Sequence, residues 1–88
     1  MKEKTIILKA PNGLHARPAS DLVKLAASFR SSVFIENLSS KNKVNAKSIL
    51  QMLTLAAPYG TELVVLCTGP DEEEALNKIT AYISGLQG

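Results

Sequence analysis

The sequence has 88 residues, 45% of them hydrophobic and 20% charged, with a formal net charge of +2. That length and balance describe a single domain over residues 1–88, too short for a dinucleotide-binding enzyme or a kinase and too apolar for disorder. One cysteine, Cys67, and one histidine, His15, exclude an internal disulfide and a conventional zinc site, and no metal or cofactor is expected.

Taken in chain order, Thr5 to Ala10 alternates, with Ile6, Leu8 and Ala10 on one side, and predicts a half-buried strand that Pro11-Asn12-Gly13 ends. From Ala16 to Phe29 the apolar positions Ala19, Leu22, Val23, Ala26 and Phe29 have helical spacing. Val33 and Ile35 mark a second strand, Asn37 to Asn42 a turn, and Val44 and Ala46 a third strand returning as a hairpin. Ser48 and Gln51 have capping-box spacing and open a short helix, which Pro58-Tyr59-Gly60 closes. Thr61 to Thr68 is almost continuous Val and Leu, as in a central strand, and Cys67 falls on its buried side. Asp71 and Glu74 repeat the capping spacing ahead of a last helix with Ala75, Leu76, Ile79, Ile83 and Leu86 on one face, ending at Gly85 or Gly88. The order β-α-β-β-α-β-α predicts an α+β fold, a four-stranded antiparallel sheet with helices on one face.

Charge is unevenly spread. Residues 1–50 hold nine Lys or Arg against three acids, and residues 51–88 hold one against five. The first half therefore supplies a basic face suited to an acidic partner. Nucleic acid is not the expected partner, since only two arginines and four Phe or Tyr are present. No apolar run approaches the ~20 residues of a membrane span. Met1-Lys2-Glu3-Lys4 carries no cleavage signal, and with a free thiol this points to the cytoplasm.

The segment with chemical potential is Asn12-Gly13-Leu14-His15-Ala16-Arg17-Pro18-Ala19. Pro18 belongs in a first helical turn, which puts the helix start at about His15. A helix N-terminus carries partial positive charge and unbonded N–H groups, here those of Ala16 and Arg17. It favours an uncharged nucleophile beforehand and a bound phosphoryl dianion afterwards. The Arg17 guanidinium matches phosphate oxygens, and Asn12 stands where it can orient the ring or the phosphoryl group. No carboxylate base lies nearby in sequence, so the set suits carrying a phosphoryl group rather than hydrolysing one. A lone histidine at a helix start also reads as a simple surface cap.

The same segment resembles the active-site signature of the HPr family, the histidine-containing phosphocarriers of the bacterial phosphoenolpyruvate:sugar phosphotransferase system. Val44-Asn45-Ala46-Lys47-Ser48-Ile49-Leu50 is similar to the family's regulatory-serine segment, and Gly60-Thr61-Glu62-Leu63 to the entry into its last strand. The resemblance covers essentially all 88 residues. It implies an open-faced β-sandwich with strand order 1-4-2-3 under three helices. It also implies that His15 Nδ1 accepts a phosphoryl group from enzyme I and donates it to EIIA domains, with Arg17 assisting. Such a protein is a carrier rather than a turnover catalyst, and brief encounters suggest a monomer.

For Ser48 two readings stand: a helix cap worth ~1 kcal/mol, or, by resemblance, the target of an HPr kinase/phosphorylase in bacteria of the Bacillus type. Ile49, Leu50 and Leu53 read as core by spacing, yet so short a helix must expose some of them. By resemblance they form the docking patch for enzyme I and EIIA, with Lys24, Lys47 and Arg30 as rim charges. Two departures from the family pattern stand out: a slightly longer turn at Asn37–Lys43, and Ala56-Ala57-Pro58-Tyr59 where many members have glycine and polar residues. Other readings are a nitrogen-branch or regulatory paralogue, a small binding module without covalent chemistry, and an acylphosphatase-type hydrolase. Regulatory paralogues can lack the histidine, which this chain keeps.

Overall fold

The computed structural model describes residues 1–86. Its elements are β1 (Lys2–Ile7), α1 (Ala16–Ala27), β2 (Ser32–Asn37), β3 (Asn42–Asn45), α2 (Ile49–Leu53), β4 (Glu62–Thr68) and α3 (Glu72–Ser84). The strands form one antiparallel sheet of order β1-β4-β2-β3. The Val- and Leu-rich β4 is central, paired with β1 on one side and β2 on the other. Val33, Ile35, Val44, Leu63, Val65 and Cys67 form the sheet's buried face. Leu22 and Ala26 of α1, Met52 of α2, and Ala75, Ile79 and Ile83 of α3 complete the core above it. The opposite face is open, and on it the Lys43 ammonium lies 5.4 Å from the centre of the Phe34 ring.

Several boundaries differ from the sequence expectation: α2 ends at Leu53, with Thr54 as C-cap, well before Pro58, and β4 starts at Glu62 rather than Thr61. β1 covers Lys2–Ile7 rather than Thr5–Ala10, because its ladder with β4 runs from Lys2 opposite Cys67 to Ile7 opposite Glu62 and stops there. Leu8 and Ala10 stay fully buried beyond the ladder, so the apolar alternation outlasts the strand. Charged Lys2, Glu3 and Lys4 are tolerated because β1 is an edge strand, where lysines also discourage pairing with another chain. β3 ends at Asn45, although Ala46 is still buried and its N–H bonds Val33 O at 2.8 Å. α1 ends at Ala27, with Ser28 as C-cap, instead of reaching Phe29. The last helix closes at Gly85 as expected, and Gly88 lies outside the described residues.

The Asp71 cap takes a different form from the one predicted. Asp71 occupies the N-cap position of α3, but its side chain makes no capping bond. Its carboxylate instead accepts the backbone N–H groups of Arg30 and Ser31, at 2.9 and 2.8 Å, and the Ser31 hydroxyl. The end of the Gly69-Pro70 turn is held by Glu72, which accepts the Gly69 N–H at 3.0 Å. Asp71 thus ties the start of α3 to the start of β2, forty residues away in sequence. These donors, the Ser31 hydroxyl first, lower its pKa to about 2. The folded state therefore binds fewer protons than the unfolded chain. The stabilisation is complete above pH ~4 and is lost as the pH falls towards 2. Asp71→Asn should lower the urea midpoint at pH 7 and flatten the fall in stability between pH 4 and pH 2. An acid limb equal to the parent's would show that Asp71 does not drive it.

Candidate functional site

The loop before α1 is built by local turn chemistry. The Gly13 N–H bonds Ala10 O at 2.9 Å, which places Pro11 and Asn12 at the two central turn positions, and proline favours the first of them. Gly13 follows at φ +70° and Leu14 is buried. His15 is the N-cap of α1, with extended backbone (φ −91°, ψ −174°), and its carbonyl accepts the Ala19 N–H at 3.0 Å. The His15 side chain supplies no capping bond to the helix. The ring is exposed, as are Asn12, Ala16 and Arg17. Ala16 and Arg17 are the first helical residues, whose N–H groups have no acceptor inside the helix, and Pro18 has none to offer. The expected helix start at His15 is therefore the observed one. No acidic residue occupies the first turn of α1, so nothing there opposes an incoming anion.

Sequence reasoning missed what holds this loop in place. The Leu14 N–H bonds Ala57 O at 2.9 Å, and an added Cβ on Gly13 would lie 2.6 Å from that same oxygen and 3.0 Å from Pro58 Cα. The loop after α2 is thus the platform on which the His15 loop sits. The glycine and Pro58 were visible in the chain, but nothing in one sequence pairs positions forty-five residues apart. The platform carries strain of its own. Ala56 stands at φ +50°, a left-handed conformation that disfavours a residue with a Cβ by about 1–2 kcal/mol. Ala56→Gly should raise stability by up to about 1 kcal/mol, after allowing for the greater freedom of glycine in the unfolded chain. In a chain of this size that is a melting temperature higher by up to about 6 °C. A lower melting temperature would mean that the Ala56 methyl contributes more than its strain costs.

The remaining predicted residues fall in two groups. Lys24 lies seven positions after Arg17, on the same helix face, and is exposed. Ser48 is the N-cap of α2 and its hydroxyl accepts the Gln51 N–H at 3.3 Å. Only half of a capping box forms, because the Gln51 side chain accepts the Asn45 N–H at 2.8 Å. Of the proposed patch, Leu50 is 76% exposed, Leu53 51% and Ile49 38%, while Met52 takes the core position. Lys47 is less available than a rim charge should be, since its ammonium donates to Phe29 O at 2.8 Å. Arg30 is exposed, next to the Ser31–Asp71 contact. These bonds also order the site along α1. Lys47 and Ser48 lie towards the C-terminal end of α1, whereas Ala57 sits at its N-terminal end beside Leu14. A twelve-residue helix is roughly 18 Å long, so the Lys47–Phe29 and Leu14–Ala57 bonds hold opposite ends of it. Burial raises the pKa of the Cys67 thiol, with Glu72 and Asp71 adding to the effect, as suits an unreactive core residue.

Comparison with known proteins gives the chain its relatives. The chain is 42% identical over 83 residues to the HPr-like protein Crh of Bacillus subtilis, covering 94% of this chain and 95% of that one. It is 38% identical over 87 residues to the phosphocarrier protein HPr of Borreliella burgdorferi, covering 99% of both. A crystal structure of HPr from Thermoanaerobacter tengcongensis superposes with a TM-score of 0.88 at 40% identity, covering 96% of this chain and 92% of that one. A second structure from that organism, with a TM-score of 0.73 at 40% identity and coverage of 96% and 94%, is described as an HPr dimer. The expectation of a monomer is therefore not carried forward. The profile of the PTS HPr component phosphorylation site matches residues 2–85, and with that match and these relatives the chain belongs to the HPr family of the phosphotransferase system.

Proposed function

We propose that the domain spanning residues 1–88 is a cytoplasmic phosphoryl carrier of the sugar phosphotransferase system. His15 Nδ1 takes a phosphoryl group from phospho-enzyme I and gives it to EIIA domains. In each step a bond from phosphorus to His15 forms or breaks as the bond to the partner breaks or forms. The observation that supports this most is the placement of the chain's only histidine, exposed at the N-cap of α1 ahead of the Ala16 and Arg17 N–H groups. Those groups and the Arg17 guanidinium suit the phosphoryl oxygens, and Asn12 borders them in the preceding turn.

A regulatory paralogue is the second reading, and the likeness to Crh favours it. Retention of His15 favours transfer. Ser48 is then the candidate site for an HPr kinase/phosphorylase. A phosphate there would add negative charge beside Ile49, Leu50 and Leu53, facing an acidic partner, without displacing the cap. Ser48→Asp should accordingly slow transfer from enzyme I, more so at low salt. A rate equal to the parent's would remove this electrostatic switch.

The deciding experiment is intact-protein mass spectrometry after incubation with phosphoenolpyruvate and a trace of enzyme I proven on another carrier. One phosphoryl adduct that mild acid removes is the expected result, since a phosphorus–nitrogen bond is acid-labile and a serine ester is not. Absence of an adduct on the folded protein would overturn the carrier reading.

A further inference from the structure

Tyr59 is the one exposed aromatic side chain among the described residues, at 63%. The loop that carries it is firmly held. Ala57 O takes the Leu14 N–H, the Gly60 N–H bonds Leu8 O at 2.7 Å, and both the N–H and the hydroxyl of Thr61 donate to Pro58 O, at 3.2 and 2.8 Å. Ala57 and Thr61 are both buried. An aromatic ring on a fixed backbone binds with little ordering entropy, and Tyr is among the residue types that dominate interface energies.

The same bonds place this ring beside the chemistry. Tyr59 is two residues from Ala57, and His15 is one residue from Leu14. Three residue steps and the Leu14–Ala57 hydrogen bond itself thus leave at most about 16 Å between the two Cα atoms. An interface of standard size covers roughly 800 Å² per partner, a patch of roughly 16 Å radius. Tyr59 is therefore within reach of a protein centred on His15. The apolar stripe of Leu50 and Leu53 on α2 runs directly in sequence into this loop, while Arg17 and Lys24 supply positive charge along α1.

We propose that Tyr59 is a contact residue for the phosphoryl donor, a protein whose docking face has an apolar centre and an acidic surround. This rests on the carrier reading above. It extends the docking patch beyond α2, onto the loop that also positions His15.

The test is steady-state phosphoryl transfer from phosphoenolpyruvate through enzyme I, measured against carrier concentration for the parent, Tyr59→Ala and Tyr59→Phe. Tyr59→Ala should raise KM about tenfold with kcat within twofold of the parent, and Tyr59→Phe should keep most of the parent's KM. Melting temperatures of all three should agree, because the ring is outside the core. A parent that accepts phosphoryl groups while Tyr59→Ala keeps its KM overturns the role of Tyr59 alone. A fall in kcat at constant KM overturns it too, since the residue would then act on the His15 loop and not on the partner. A parent that accepts no phosphoryl group overturns the carrier reading, and this proposal with it.

Discussion

His15→Ala should take up no phosphoryl group from phospho-enzyme I while melting within about 4 °C of the parent. The two halves of this expectation have separate causes. His15 is the only histidine in the chain, so its removal leaves no second imidazole to accept the group. The ring is exposed, lies outside the core and supplies no capping bond to α1. The His15 carbonyl, which does accept the Ala19 N–H, survives the substitution. Chemistry and stability are thus separable at this position, as they are for a reactive group mounted on a finished scaffold. Mass spectrometry and thermal unfolding on the same sample check both halves. An acid-labile adduct persisting on His15→Ala would place the acceptor elsewhere. Loss of the fold would mean that the ring is a structural element first.

Much of this architecture was legible in the residues because local and global signals agree. The Val and Leu run at positions 63–66 could only be a central strand, and β4 is central. The periodic apolar positions Ala19, Leu22 and Ala26 are all buried in α1, and Ile79 and Ile83 in α3. Pro18 set the start of α1 correctly because a missing N–H is harmless only in a first turn. Apart from element ends, the misread positions are side chains whose partners lie elsewhere in the chain. Asp71 has the spacing of a capping box, yet Ser31 and Arg30 claim its oxygens. Gln51 has the same spacing after Ser48, yet it turns to Asn45. Lys47 looks like a surface charge, yet it closes the C-terminal end of α1 at Phe29. In each case the competing partner lies six to forty-one residues away, and one-dimensional spacing carries no trace of it. The candidate site divides in the same way. His15, Ala16 and Arg17 were readable as a unit because they are consecutive at a helix start. The platform under them was not, since it comes from the other side of the fold.

That platform gives the second large effect. Gly13→Ala should destabilise the protein by about 2–3 kcal/mol and slow phosphoryl acceptance by about a hundredfold. Two causes act together. A residue with a Cβ is disfavoured at φ +70° whatever surrounds it. The new methyl would also lie 2.6 Å from Ala57 O and 3.0 Å from Pro58 Cα, both backbone atoms that cannot rotate away. The loop must move, and the Leu14 N–H to Ala57 O bond is the first contact at risk. Leu14 directly precedes the N-cap, so a displaced loop shifts His15 against the Ala16 and Arg17 N–H groups. A misplacement of about 1 Å suffices for a loss on the order of a hundredfold in a transfer that depends on alignment. Gly13→Asn separates the causes, because asparagine tolerates the left-handed backbone while bringing the same Cβ. If the clash dominates, Asn and Ala should slow transfer alike, with Asn the less destabilising of the two. If backbone strain dominates, Asn should recover most of both the rate and the melting temperature. Parent-like transfer in Gly13→Ala would show that the contact between the His15 loop and the Ala57–Pro58 platform does not set the geometry of the acceptor.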